Sequence, residues 1–355
     1  MDELNEEICL YTSFNQDSSC FCVGTNKGYR IYNSYPLKCY NKRDIDGGIS
    51  LIEILYRSNI LAFVGTGNSE KLKTNKVVIY DFIKSKVLNE IISQENVINI
   101  KLKRSKIFII TENKIKVFKG FIFEEFEKID TIKNYQSKSG IFGISLDPKI
   151  DIISYPSSDV GKLIIKKYDE KKNGDFETKE INAHQSEIVA LVMNYDGSLV
   201  ASASGRGTII KIFQTKDSSL IQELRRGTEQ AEIYSLAFNY KSQYIACSSN
   251  KGTIHIFSVK NEEKEGQNQK SIFGTVVSFF GIQNEYLNSE WSFAQYRLPY
   301  KGKSVVSFNP DNTPSVIVIT YDGNYHQGSF DINNGGECQT CLEKNILKLE
   351  VEKEE

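Results

Sequence analysis

Two adjacent arginines, Arg225 and Arg226, stand in the run Leu224-Arg225-Arg226-Gly227-Thr228. Arginine binds phosphate through a planar fork of N–H donors, which the point charge of a lysine does not reproduce. Successive side chains of an extended segment point to opposite sides, so two neighbouring arginines serve two separate pockets. The chain has three histidines, and two of them, His184 and His255, flank the pair. On the His184 side lie Ser202, Ser204, Thr208 and Lys211; on the His255 side lie Thr228, Ser248, Ser249, Lys251 and Thr253. Hydroxyls and imidazoles donate to phosphate oxygens. Each group therefore reads as one arginine, one histidine and several hydroxyl donors, suited to two phosphate groups presented side by side, as on a membrane surface. Each member alone also has a structural reading. Repeated β-structures often place a histidine near the start of a repeat and a hydroxyl before a glycine turn to satisfy buried backbone. An isolated Arg-Arg is usually a solvated surface pair, so it is the constellation that carries the functional reading.

The elements that must position these residues are strands. A recurring strand segment reads Gly28-Tyr-Arg-Ile-Tyr, Asn75-Lys-Val-Val-Ile-Tyr, Asn113-Lys-Ile-Lys-Val-Phe, Gly161-Lys-Leu-Ile-Ile, Gly207-Thr-Ile-Ile-Lys-Ile-Phe, Gly252-Thr-Ile-His-Ile-Phe and Gly323-Asn-Tyr-His. The starts of these seven copies are separated by 47, 38, 48, 46, 45 and 71 residues. A period of roughly 40–45 residues with several strands is the mark of a propeller blade. One blade cannot bury both its faces, so blades stack radially until the ring closes. Gly or Asn at each start predicts a tight turn with positive φ. The fold class expected is all-β, a single seven-bladed WD-repeat-like β-propeller over residues 1–355. Seven periodic copies argue against the alternative, an irregular β-sandwich.

The last interval is the long one, and its extra residues fall between Val259 and Trp291. They run polar from Lys260 to Lys270, then apolar from Ser271 to Ile282. Phe273, Val276, Val277, Phe279 and Phe280 would be costly in water, since burying each such side chain is worth roughly 1.5–3 kcal/mol. The loop, 260–290, reads either as a segment that dips into a bilayer or as one that folds back on its own blade. The nearby arginine pair favours the membrane.

Bulk properties exclude several classes. The net charge of −1 gives no global basic field for nucleic acid, so anion binding must be local. No stretch of 18 apolar residues occurs, and the acidic start Met1 to Glu7 does not resemble a signal peptide. The seven cysteines are an odd number and fit free thiols in a reducing compartment, so a cytoplasmic protein is expected. There is no nucleophile elbow, P-loop or zinc-binding histidine pair, which argues against an enzyme and predicts no cofactor and no metal. Cys338-Gln-Thr-Cys341 has zinc-ligand spacing but no second pair at a suitable distance. Cys20 and Cys22 read as strand packing, and His326 as structural.

Leu-Arg-Arg-Gly-Thr followed by Ala231-Glu-Ile-Tyr-Ser-Leu-Ala-Phe-Asn239 resembles the Phe/Leu-Arg-Arg-Gly signature of the PROPPINs, the phosphoinositide-binding β-propellers that include the WIPI proteins. Phe14-Asn-Gln-Asp-Ser-Ser-Cys20 and Val23-Gly-Thr-Asn-Lys-Gly-Tyr-Arg-Ile-Tyr-Asn33 are similar to that family's first blade. Glu290-Trp-Ser-Phe-Ala-Gln-Tyr-Arg-Leu-Pro299 resembles its strand after the membrane loop, in the shorter WIPI branch. The resemblance implies a monomeric propeller, edge-on to a membrane, that binds phosphatidylinositol 3-phosphate and phosphatidylinositol 3,5-bisphosphate. Arg225 would act with His184, Ser204, Thr208 and Lys211. Arg226 would act with Thr228, Ser249, Thr253 and His255. The loop residues Phe273, Val276, Val277, Phe279 and Phe280 would insert between lipids. It further implies action in autophagosome formation or on endosomal or vacuolar membranes, and the autophagy lipid-transfer protein as a partner around the second and third blades. Two departures stand out. Lys211 occupies a position where the family has arginine, and Gly65 to Asn75 lacks the family's proline and aromatic residues. The rival reading is a protein-interaction scaffold in which the arginines pair with Glu223, Glu229 or Glu232 at the surface. The lipid reading expects both arginines to be replaceable with little loss of stability.

Overall fold

The computed structural model describes residues 6–120, 126–133, 135–168, 176–260, 267–268 and 289–352. Seven antiparallel blades follow one another, each of four strands in sequence order from the inside outward. In blade one these are Cys9–Phe14, Cys20–Thr25, Gly28–Asn33 and Lys38–Asp44. Blades two to seven occupy 49–92, 99–132, 143–182, 188–225, 233–297 and 304–345. The second strand of blade two, Ile60–Gly65, is buried at every residue. Its run Ile-Leu-Ala-Phe-Val is apolar throughout because a neighbouring blade covers each face, so alternation with polar residues has no use there.

The hydrophobic core is a ring of seven clusters, one at each junction between blades. Leu51, Val64 and Ile79 of blade two meet Ile100, Leu102 and Ile109 of blade three. Leu224 and Ile212 of blade five meet Ile233, Cys247 and Phe257 of blade six. The seventh cluster closes the circle: Phe21, Val23 and Tyr32 of blade one pack on Ile317, Ile319 and Tyr325 of blade seven. Blade seven takes all four strands from 304–345, and among the described residues no N-terminal strand pairs with it. Closure instead uses side chains and the C-terminal segment. Tyr32 donates to the carbonyl of Ile346 at 2.9 Å, Tyr325 to that of Ser34 at 2.9 Å, and Arg30 to that of Leu349 at 3.0 Å. A central channel of about 980 Å³ touches the innermost strand of every blade, through Thr12, Glu53, Lys101, Gly143, Leu191, Ser235 and Val306.

The seven third strands begin within two residues of the seven starts read from the sequence. Positive φ holds at Gly28, Gly161, Gly207, Gly252 and Gly323; Asn75 and Asn113 keep negative φ, contrary to the turn expected there. Two sheets depart from the four-stranded plan. Blade five gains a fifth strand, Glu290–Trp291, and blades six and seven join through a parallel pairing of Ala294 with Gly336. No helix among the described residues is long and apolar enough to cross a membrane.

Candidate functional site: two clefts beside blade five

The outer strand of blade five, Leu220–Arg225, sets the geometry. Its register places Leu224 opposite Ile210, and both belong to the cluster shared with blade six. Alternation then turns Glu223 and Arg225 toward blade four and Gln222 and Arg226 toward blade six. The two arginines therefore lie on opposite faces of the strand, one toward each neighbouring blade.

On the blade-four side, Lys211 pairs with Glu223 at 2.9 Å, and Arg225 stands two residues along the same face. His184 reaches this face from the connection between blades four and five. Its backbone N–H is held by the carbonyl of Gly161 at 3.0 Å. A Cβ on Gly161 would lie 1.9 Å from the His184 carbonyl oxygen, so only glycine allows this approach. His184 Nε2 and Ser202 Oγ are hydrogen-bond partners at 3.0 Å. The structural reading of His184 and the phosphate reading both accommodate this contact. Ser204 is buried beside it in the same strand.

On the blade-six side, Arg226 donates from Nε to the carbonyl of Gly207 at 2.8 Å and from Nη2 to the carbonyl of Glu229. Its backbone N–H goes to the carbonyl of Thr208 at 2.9 Å. Thr208 thus touches the Arg226 backbone, rather than standing only with Arg225. Gly207 has φ 62°, and a Cβ there would lie 1.9 Å from the Ala231 carbonyl oxygen, so the turn and the inter-blade connection fit together only with glycine. Thr253, His255 and Phe257 alternate toward blade five, where Phe257 joins the shared cluster. His255 Nδ1 and Ser292 Oγ are partners at 3.3 Å. Ser249 is buried, Thr253 half-buried and Thr228 exposed. Ser248 faces away, donating to the Ser304 carbonyl of blade seven at 3.1 Å.

Arg225 is 3% exposed and Arg226 5%. Neither is a solvated surface residue. Glu223 pairs with Lys211, the Glu229 carboxylate pairs with Lys251 at 2.8 Å, and Arg226 takes the Glu229 carbonyl instead. These contacts differ from the surface salt bridges that the scaffold reading expects. Burial also pulls the Arg226 pKa below its usual value, although it stays a cation at neutral pH.

Both imidazoles are neutral near pH 7. Burial pushes His184 down to about 4, with the Lys211 charge adding to it. Burial likewise pushes His255 down to about 4, and there the added charge is Arg226. The folded values lie below the ordinary 6.5, so the unfolded chain takes up these protons first. Stability is therefore full above pH 6.5 and is lost as pH falls from there toward 4. Urea titrations are expected to show it dropping by up to about 2 kcal/mol per histidine between pH 7 and 5. A His184→Gln, His255→Gln variant should have a flatter profile; an unchanged profile would show that other groups set the pH dependence.

Phe273, Val276, Val277, Phe279 and Phe280 lie outside the described residues, as does most of 260–290; Lys260, Asn268, Ser289 and Glu290 are described. The sequence reading had no part for Ser289 and Trp291, yet both touch Arg225. Arg225 Nε donates to Ser289 Oγ at 2.8 Å, and its guanidinium carbon lies 5.8 Å from the Trp291 ring centroid. The available signal was the chain's one tryptophan immediately after the long loop. Cys20 and Cys22 are buried in the second strand of blade one. Cys338 is buried, Cys341 is exposed, and no group of three potential metal ligands occurs among the described residues. His326 is 1% exposed in the third strand of blade seven.

The family model of the PROPPINs matches residues 8–347. Autophagy-related protein 18e of Arabidopsis thaliana is 30% identical over 355 residues, spanning 98% of this chain and 91% of its own length. Among solved structures, Kluyveromyces lactis Hsv2 with its complete loop 6CD superposes with a TM-score of 0.78 at 22% identity, covering 96% of this chain and all of its own. KlAtg21, solved in complex with the coiled coil of AgAtg16, superposes with a TM-score of 0.69 at 23% identity, covering 96% of this chain and 99% of its own.

Proposed function

The chain belongs to the PROPPIN family, and from that premise we propose that it is a phosphoinositide effector whose two clefts each hold one lipid phosphate. The ligands would be phosphatidylinositol 3-phosphate and phosphatidylinositol 3,5-bisphosphate. The observation that supports this best is the turning of Arg225 and Arg226 to opposite faces of one outer strand. Each cleft also has a neutral histidine and buried hydroxyls on the arginine's side. A buried cation near neutral donors is a site pre-organised for an anion, and charge-assisted hydrogen bonds to it are about twice as strong as neutral ones. The clefts are not equal. Lys211 gives the blade-four cleft a point charge engaged by Glu223, with Glu223 16% exposed, whereas in the blade-six cleft Lys251 pairs with the exposed Glu229.

One headgroup held by a few hydrogen bonds binds weakly. Two clefts on a rigid ring raise avidity by roughly 10²–10⁴. Insertion of the apolar part of 260–290 adds burial that a soluble headgroup cannot supply. The protein would act as a monomer, peripheral on autophagosome-precursor, endosomal or vacuolar membranes. The autophagy lipid-transfer protein, around blades two and three, is the protein partner this reading carries.

Liposome flotation tests it. Wild type should float with vesicles containing phosphatidylinositol 3-phosphate and stay down with vesicles of the same charge lacking it. Equal flotation on both, or none on either, would favour the scaffold reading.

A further inference from the structure

The segment returning from the blade-six loop is built into blade five. Glu290–Trp291 runs parallel to the outer strand, with Leu224 opposite Glu290 and Arg225 opposite Trp291. Alternate residues of such a segment face opposite ways. Ser289 and Trp291 share one side, and that side is Arg225: its Nε–H is committed to Ser289 Oγ at 2.8 Å, and its guanidinium lies over the indole at 5.8 Å. Ser289 is 1% exposed, so the hydroxyl is a fixed partner.

Glu290 faces the other side, where it is buried. It accepts from Gln222 Nε2 at 2.7 Å and Asn268 Nδ2 at 2.9 Å, and it pairs with Lys260. Gln222 and Asn268 in turn donate to the carbonyl of Ser258 at 3.1 and 2.7 Å. The Ser258 N–H donates to Asn268 Oδ1 at 2.7 Å, and the Lys260 N–H to Gln222 Oε1 at 3.0 Å. Against the upward push of burial, the hydrogen bonds from Lys260, Asn268 and Gln222 hold the Glu290 carboxyl below its usual range, so it is an anion. One buried carboxylate thus binds the departing limb, a point within the loop and the returning limb to blades five and six.

We propose that Ser289 and Trp291 are positioning residues for Arg225, and that the Glu290 cluster fixes their register, so that phosphate binding in the blade-four cleft depends on the base of the blade-six loop. This rests on the reading that Arg225 binds a phosphate. Arginine has many rotamers, and ordering a free one on binding weakens a complex. Ser289 and Trp291 order it beforehand by a hydrogen bond at Nε and an aromatic ring facing its charge. Arg226 gains the same order from the carbonyls of Gly207, in a turn of blade five, and of Glu229, in its own connection. Among the described residues Arg225 is the arginine that contacts residues 289–291, whereas the blade-six side meets the returning limb through His255 and Ser292. The two clefts therefore respond differently to changes at residues 289–291.

The chain has one tryptophan, so its emission reports on Arg225 directly. The test titrates the full chain with inositol 1,3-bisphosphate, reading Trp291 emission alongside calorimetric affinity. Saturable emission change is expected in wild type and in Arg226→Thr, and none in Arg225→Thr. In the Arg226→Thr background, where only the Arg225 cleft remains, Ser289→Ala and Trp291→Leu should each weaken binding about three- to tenfold. Ser289→Thr and Trp291→Phe, which keep the hydroxyl or the ring, should restore most of it at an unchanged thermal midpoint. If binding depends on Arg225 while Ser289→Ala and Trp291→Leu bind like their parent, the inference fails and the proposed function stands. If wild type shows no saturable, arginine-dependent binding of the headgroup, both fail.

Discussion

Replacing Arg225 and Arg226 together by threonine is expected to reduce flotation on vesicles containing phosphatidylinositol 3-phosphate to the level of the charge-matched control. Each substitution removes a charge-assisted donor fork, an interaction worth about 1.5–3 kcal/mol. Losing both clefts also removes the avidity of about 10²–10⁴ that links them. The same variant should unfold at a lower temperature than wild type. Both arginines are buried, and threonine takes the arginine donors from the carbonyls of Gly207 and Glu229 and from Ser289. An unmade buried hydrogen bond costs about 1–3 kcal/mol. The little loss of stability that the lipid reading expected from the sequence is therefore corrected by the burial of both arginines. A second variant separates the two effects. Arg225→Lys with Arg226→Lys keeps both charges and the buried stems but loses the forks. It should stay folded and still bind at least tenfold more weakly. Wild-type flotation by the lysine variant would show that charge alone, not the fork, holds the lipid.

The fold was legible because the propeller repeats itself. Seven glycine- or asparagine-led strands, regularly spaced, specify blades without any knowledge of the contacts between them. The division of labour between Arg225 and Arg226 was legible for a similar reason, since strand alternation is a local rule. Burial was not. Whether an arginine in a polar run is solvated depends on what the rest of the chain brings to it. Here that partner is Ser289-Glu290-Trp291, paired to the strand from across the long loop. Ser202 presented the opposite difficulty. Its contact with His184 satisfies a structural need and also fixes a donor in the cleft, and sequence cannot divide those roles. The ring's closure was equally hidden, because it uses Tyr32, Tyr325 and Arg30 against backbone carbonyls, a set with no periodic signal.

The second large effect concerns the loop. Phe279→Asp with Phe280→Asp should weaken binding to vesicles by about 10²-fold or more while leaving affinity for soluble inositol 1,3-bisphosphate within twofold of wild type. Two phenylalanines entering a bilayer contribute roughly 1.5–3 kcal/mol each, and aspartate reverses the sign at the same depth. The soluble headgroup offers no bilayer to enter, so its affinity reports the clefts alone. The described ends of the loop make this separation sharp. Lys260 on the departing limb, Asn268 within the loop and Glu290 on the returning limb are joined through one buried carboxylate cluster on blades five and six. Changes at residues 279 and 280 are separated in sequence from that cluster and from the Arg225 contact next to it. Substitutions at Ser289 or Trp291 should do the reverse, lowering headgroup affinity itself. Vesicle binding and headgroup binding thus form two axes, with Phe279 and Phe280 on one and Arg225, Ser289 and Trp291 on the other. Unchanged vesicle affinity in the double aspartate variant would remove bilayer insertion and leave the clefts as the whole of the membrane contact. Parallel loss on both axes would mean that the loop acts through the Arg225 cleft rather than through the bilayer.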